Sequence, residues 1–201
     1  MSDVITLLGA GGHARSVLSL LRSIDVQVAR IVDSTALADE KVMGIPVVSD
    51  LAKSVESLVL SVGDNKIREA MFHQYHTRLW NKPLVHQRAS IDENATAQRG
   101  SQIFSGAYVG PLCIVGENTI VNTHAIVEHE SRIGCHSHIA VGAMVLGRCS
   151  LGDRCFVGAG TVIREGVRLT DGVIIGANAF VNCDIDEPGL YVGSPARKVK
   201  P

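Results

Sequence analysis

An aliphatic residue recurs at every sixth position through the second half of the chain, a period that fits neither an α-helix nor an ordinary strand. The series includes Ile91, Ile103, Val109, Val115, Val121 and Val127, and runs on through Ile133, Ile139 and Val145 to Val181, with only Ala97 weak. Four places after each stands a small or compact residue, such as Ala107, Cys113, Thr119, Ala125, Ser131 and Ser137; Ile185 is the one larger member. Such hexads predict a coiled, triangular parallel β-helix, one hexad per face and three per coil, giving about five coils. The branched residues are expected to point inward and the small ones to fit where the chain turns a corner. Gly110, Gly116, Gly134, Gly152, Gly158 and Gly176, one place after the branched position, are expected to supply turns that other residues resist. Cys113, Cys149 and Cys155 share the small inward slot and read as core fillers. Cys135 and Cys183 lie elsewhere in the hexad with nothing nearby to activate them.

Ahead of the repeats, strand and helix alternate. Val4–Leu8 is a short apolar run that ends in Gly9-Ala10-Gly11-Gly12-His13-Ala14, and a helical pattern follows through Val17, Leu18, Leu20, Leu21 and Ile24. Val26–Val32 reads as a second strand closing on Asp33, and Val55–Val62 as a third ending at Gly63-Asp64-Asn65. A helix from about Lys66 to His76 and a last short strand at Leu84-Val85 complete the unit. That order implies a parallel sheet with right-handed crossovers. The expected division is an α/β, Rossmann-like nucleotide-binding domain over 1–85 and a β-helix domain with its tail over 86–201.

A formal net charge of -1 gives no field to recruit nucleic acid or an anionic membrane, so neither is expected as a partner. No apolar run approaches bilayer length and the first residues lack a signal-peptide pattern. Five cysteines without a CxxC pair fit a reducing compartment, so a cytoplasmic location is expected.

The loop Gly9–Ala14 fits G-x-G-x-x-A. Its glycines would let backbone approach a phosphate, and the helix N-terminus behind it adds donors and a favourable dipole. Asp33 is placed to accept from a ribose or base. The other reading is a tight strand-to-helix turn. About ninety residues of α/β structure are too few for two mononucleotide halves, so one nucleotide, carrying a sugar, is expected rather than a dinucleotide. Gly63-Asp64-Asn65-Lys66-Ile67-Arg68 could form the other wall with Arg68 near a phosphate; alternatively it is an ordinary helix cap with an exposed arginine.

His124, His129, His136 and His138 crowd one stretch of the repeats. Asn122 and Glu128 occupy the same hexad slot, with His129 one place later, and these side chains are expected to converge with His138 at one edge. Transfer of an acyl group to an amine requires removal of a proton from nitrogen, a task suited to imidazole near neutral pH. Glu128 or Glu130 would hold the ring's tautomer. His124 and His136 read as surface residues, and His129 as the base.

A short α/β domain opening with GAGGHA, followed by repeats carrying N-x-x-x-x-x-E-H-E, resembles the sugar O- and N-acyltransferases. That group includes sialic-acid O-acetyltransferases and the bacillosamine-pathway and perosamine N-acetyltransferases. The resemblance implies a left-handed β-helix and a homotrimer that holds acetyl-CoA between the β-helices of adjacent subunits. It implies His129 as catalytic base supported by Asn122 and Glu128, and His138 near the acetyl-CoA thioester. Gly11, Gly12, His13, Asp33 and Asn65 would line the sugar-nucleotide pocket, Gly142 and Ala143 would meet the pantetheine arm, and Pro195, Arg197 and Lys198 would lie near CoA phosphates. No metal is expected. The first expectation is N-acetylation of a nucleotide-linked 4-amino-4,6-dideoxy sugar for surface glycans. O-acetylation of a sialic-type sugar, a zinc hydratase and a non-catalytic sugar-nucleotide sensor are the alternatives.

Overall fold

The computed structural model describes residues 4–51 and 57–199. The α/β part contains β1 (Val4–Leu8), α1 (Gly12–Ser23), β2 (Gln27–Val32), β3 (Lys41–Val42), β4 (Ile45–Val48), β5 (Ser57–Leu60) and α2 (Asn65–Gln74). The sheet order is β3-β4-β2-β1-β5. β1 pairs parallel with β2 and β5, and β2 with β4, while β3 and β4 form an antiparallel hairpin around Met43-Gly44. The hairpin escaped the sequence reading because two- and four-residue strands carry almost no periodicity. The strand expected from Val55 is described from Ser57; Val55 lies outside the described residues. α1 buries Ala14, Val17, Leu18, Leu20 and Leu21 on one stripe, which is the helical period seen in the sequence. α2 starts at Asp64, whose carboxylate accepts from the Ile67 N–H at 2.9 Å. No helix among the described residues is long and apolar enough to cross a membrane.

From Leu84 the chain winds as a prism. Up to Phe180–Val181 nearly every rung is two residues long, and parallel partners stand eighteen positions apart, as in Val115↔Ile133 and Val121↔Ile139. Val109, Val115, Val121, Val127, Ile139 and Val145 are wholly buried, as are the compact residues Cys113, Thr119, Ala125, Ser131, Ser137 and Ala143. These side chains form one continuous core along the axis. The rung Leu84–Val85, expected to close the α/β sheet, pairs instead with Gln102–Ile103 and so opens the coil.

The three faces differ in what they point outward. The domain-facing face carries Gln102, Ile120, His138, Phe156 and Ile174, and Ile120 packs with Phe104 into the core of the α/β part. The apolar face carries a half-exposed ladder of Tyr108, Ile126, Met144, Val162 and Phe180. The arginine face carries Thr96, Ile114, Arg132, Ser150 and Arg168. The domain-facing face is extended by the two strands of the tail: Gly189–Val192 pairs with Val173–Ile175, and Arg197–Lys198 turns back antiparallel on it.

The corner geometry corrects the glycine expectation. The left-handed conformation falls three places after the branched residue, at Leu112, Asn118, His124, Glu130, His136 and Arg148 as well as at Gly142 and Gly166. Gly116 and Gly158 have no such φ. A Cβ on Gly116 would lie 2.7 Å from the Cys135 nitrogen, and one on Gly158 2.6 Å from the Ala177 nitrogen. Glycine at that slot lets one coil lie against the next; it does not make the turn.

Candidate active site

Successive corners belong to different edges of the prism. Asn122, His124, Gly142 and Ala143 stand on the first edge, between the domain-facing and apolar faces. Glu128, His129, Glu130 and Arg148 stand on the second, between the apolar and arginine faces, and His136 and Arg154 on the third. The expected convergence of Asn122, Glu128, His129 and His138 at one edge therefore does not occur within a chain. A shared hexad slot on consecutive faces is a rotation of a third of a turn apart.

On the second edge the His129 ring is held from one side. Its Nδ1 lies 3.1 Å from Glu130 Oε2, and the two side chains are 43% and 47% exposed. A carboxylate only accepts, so in the neutral ring the hydrogen is on Nδ1 and the lone pair on Nε2. Of the two candidate carboxylates it is thus Glu130 that meets the ring. Glu128 Oε2 accepts from the His129 backbone N–H at 3.3 Å. Arg148 lies 3.8 Å from Glu130 and is ion-paired with Glu165. Gly147 sits under the ring: a Cβ there would fall 2.5 Å from His129 Nε2.

The second group of predicted residues meets between the domain-facing face and the α/β part. His138 is 8% exposed. Its Nε2 is 3.0 Å from Asn122 Nδ2, and its Nδ1 is 3.3 Å from the Gly63 carbonyl. The Asn122 oxygen accepts the Thr123 N–H at 2.8 Å, which turns its NH₂ toward the ring. His138 is therefore a neutral imidazole with its hydrogen on Nδ1. Burial first, then the nearby Arg68 and His13, push its pKa down to about 3. His13 stands close by, with ring centroids 6.2 Å apart. His13 Nε2 is 3.1 Å from Gln102 Oε1, whose amide donates to the Leu60 carbonyl at 2.7 Å. Burial lowers the His13 pKa too, opposed by the bond to Gln102. Beside His138 opens a cavity of about 490 Å³, walled by Gly63, Asp64 and Asn65 on one side and by Phe156 and Ile174 on the other. Gln102 and Phe156 were not singled out from the sequence, yet both share the outward slot of His138 at intervals of eighteen.

At the glycine loop, Gly11 and Gly12 are exposed and a Cβ on either would meet nothing within 4 Å. α1 has no side-chain cap and no acidic residue in its first turn, and of its leading N–H groups that of Ala14 donates to the Gly11 carbonyl at 3.1 Å. Asp33 Oδ2 accepts the Ala10 N–H at 2.8 Å and Oδ1 accepts from Thr35, bonds that lower its pKa. Gly9 plays another part than the expected ligand contact. Its N–H donates to the Val32 carbonyl, and a Cβ would fall 2.8 Å from Val62 Cγ2, so it allows strand ends to cross closely.

Two further expectations are corrected. Arg68 neither faces a phosphate site nor is exposed: it is 0% exposed, with its guanidinium engaged by surrounding oxygens. His136 is buried, not on the surface, and its Nδ1 receives the Asn118 amide at 2.9 Å. The N–H groups of Gly142 and Ala143 donate to the Thr123 and Ala140 carbonyls. In the tail, Pro195, Arg197 and Lys198 are exposed, and Lys198 pairs with Glu187 at 2.7 Å. Asn65 is half-buried and donates to the Arg154 and Cys155 carbonyls. Glu69, His73 and His136 bring ligand-type atoms within 4.8 Å of one another; Asn118 donates to His136 Nδ1, and Arg154 holds Glu69 at 3.1 Å.

Comparison with known proteins follows the same division. Residues 4–75 match the PglD N-terminal domain, and residues 130–165 and 148–183 match the bacterial transferase hexapeptide family of six repeats. A histidine-to-alanine variant of GDP-perosamine N-acetyltransferase from Caulobacter crescentus, in complex with CoA and GDP-perosamine, superposes with a TM-score of 0.93 at 27% identity, over 100% of this chain and 98% of that one. The acetyltransferase domain of PglB from Neisseria gonorrhoeae FA1090, in complex with acetyl coenzyme A, gives 0.90 at 25% identity over 99% and 100%. A putative acetyltransferase, YvoF of Bacillus subtilis, is 32% identical over 89 residues, and the chain spans 44% of its length. The fold and these matches define an acyltransferase built on hexapeptide repeats. Within that class the chain is similar to sugar acyltransferases, with a PglD-type N-terminal domain followed by a left-handed β-helix.

Proposed function

We propose that the protein moves the acetyl group of acetyl-CoA onto the amine of a nucleotide-linked 4-amino-4,6-dideoxy sugar, in surface glycan synthesis. The observation that carries this reading is the His129–Glu130 pair, in which a carboxylate fixes Nδ1–H and leaves Nε2 free as a base. The sugar nitrogen attacks the thioester carbonyl, and His129 Nε2 takes the proton that nitrogen loses. The tetrahedral intermediate then expels the CoA sulfur, which recovers that proton from the imidazolium. Glu130 stabilises the charged ring and Glu128 steadies its backbone. The solved relatives carry CoA, acetyl coenzyme A and GDP-perosamine, which supports the choice of donor and acceptor class.

The diphosphate of the acceptor binds at the uncapped start of α1, over Gly11, Gly12 and His13, with Asp33 accepting from the nucleoside and Gly63 and Asn65 walling the sugar. The thioester lies by His138 and Asn122, with Gly142 and Ala143 along the donor's arm and Pro195, Arg197 and Lys198 toward its phosphates. His129 belongs to another edge than His138, so a complete site takes the second edge of one copy and the first edge of the next. The ladder from Tyr108 to Phe180 supports such packing, since a half-exposed apolar column is what a subunit interface covers. A homotrimer satisfies both requirements.

Incubation with acetyl-CoA and a panel of nucleotide-linked 4-amino sugars, with thiol release followed, tests the reading. Turnover on amino sugars is expected. Turnover only on hydroxyl acceptors of the sialic type would replace it with O-acetylation, and binding without any turnover would make the protein a sensor.

A further inference from the structure

Arg68 is the largest wholly buried side chain among the described residues, and none of its hydrogen-bond partners is a carboxylate, Asp64 acting on it only through space. Its six hydrogen bonds run to three segments far apart in sequence. Nη1 donates to the Val62 and Gly63 carbonyls at 3.3 and 2.9 Å, holding the loop that walls the cavity. Nη2 donates to Asn65 Oδ1 at 2.8 Å and to the His136 and Ser137 carbonyls at 2.9 and 3.0 Å, the two residues that lead into His138. Nε donates to the Asn118 carbonyl at 3.0 Å, one coil earlier. A buried cation with only neutral acceptors is expensive to desolvate, so its retention calls for a task beyond filling space.

One detail gives the task. The Gly63 carbonyl that receives Arg68 Nη1 also receives His138 Nδ1. Arg68 therefore fixes the strand from which His138 projects and, independently, the acceptor that its ring must meet.

We infer that Arg68 is a positioning residue for His138: its guanidinium clamps the Val62–Asn65 loop to the His136–Ser137 corner, so that the imidazole presents one orientation and one tautomer, hydrogen on Nδ1, to the cavity. A lysine in its place keeps the charge but loses the planar fork, so it can hold the loop or the corner and not both. The charged and titratable groups around the ring are Arg68 and His13 from the two helices, Asp64 and Lys66 at the start of α2, and Arg154 on the coil. The positive members of this set favour the neutral ring, and Asp64 opposes them from the loop that Arg68 itself secures. The inference rests on the reading of this cavity as part of the transfer site.

The test uses full-length protein with ¹⁵N-labelled histidine, in the wild type and in Arg68→Lys, with imidazole shifts of His138 recorded from pH 5 to 8 alongside acetyl transfer. The ring is expected to show a single Nδ1–H tautomer without titration in the wild type. In Arg68→Lys, with subunit assembly unchanged, mixed tautomers are expected with kcat down about 10- to 100-fold and KM for acetyl-CoA within about threefold. A wild-type ring bearing its hydrogen on Nε2, or titrating in that range, overturns the inference without recourse to a variant. So does an Arg68→Lys protein whose His138 keeps one tautomer. Absence of transfer by the wild type would instead count against the proposed activity, because the tautomer is read without any substrate.

Discussion

The Asn122 amide donates to His138 Nε2 across 3.0 Å, with its own oxygen pinned by the Thr123 N–H. The histidine nearer the cavity is thereby capped at the atom that would act as a base, while the uncapped Nε2 belongs to His129 on another edge. On the proposed mechanism the two imidazoles divide their work: one receives a proton and the other is an oriented neutral ring. Asn122→Asp should reverse the polarity of that contact, turning the His138 hydrogen to Nε2. Transfer is expected to fall at least tenfold, while Asn122→Gln changes the reach and not the polarity. Steady-state kinetics of the pair, with assembly checked by scattering, distinguishes loss of polarity from loss of fit.

His129→Ala should lower kcat by about two to four decades, the range expected for loss of a general base, with nucleotide binding little changed. Calorimetric titration with the acceptor separates the two effects. Undiminished turnover removes His129 from the mechanism.

Gly147→Ala offers a sharper probe, because the three atoms nearest its new methyl, the closest 2.5 Å away, all belong to the His129 ring. The ring swings aside at little cost to the coil. A drop in kcat of about 100-fold with an unchanged melting temperature is the expected pairing. Loss of both together would show that the methyl disturbs the corner itself.

Acid should destabilise the protein through its buried imidazoles. Burial holds His138, His13 and His136 below the ordinary histidine value, so on acidification the unfolded chain takes up protons before the folded one does. Their contribution is complete above pH about 6.5 and is lost as pH falls toward the folded-state values, about 3 for His138. Tm should decline from pH 6.5 to 5, and His138→Gln should flatten the decline by up to about 1.4 kcal/mol per pH unit. A melting temperature that rises over this interval would contradict the assignment.

Thiol reactivity should follow the prism. Cys113, Cys149 and Cys155 are buried in its core, and burial pushes the Cys155 thiol up to about 11. A disulfide reagent should label Cys183 quickly, half-buried Cys135 slowly and the other three only on unfolding. Mass mapping of early product reads this directly.

The coil was legible because a six-residue period has one structural solution, and Val109 or Cys113 could be assigned inward before any coordinates. The edges were harder. Asn122 and Glu128 look like companions in the sequence because they share a slot, but neighbours in a three-sided coil are eighteen apart, as His138 and Phe156 are. Arg68 was the largest misreading. A charged residue in the first turns of a helix is ordinarily solvated, and only the meeting of Val62, Asn118 and His136 shows why this one is not. Glycine roles were misjudged for a related reason: contact with the coil above is invisible in a local motif.

Leu112, Glu130, Arg148 and Gly166 succeed one another along the second edge in the same left-handed conformation, though their side chains have nothing in common. Backbone pairing, not side-chain identity, dictates the shape of those bends. That edge is thus a rail of interchangeable sockets, where a residue can be traded for another while the pitch of the prism stays the same. A lineage on this scaffold is free to explore new acceptors and acyl chains by re-dressing one rail, with the inward residues left as they are.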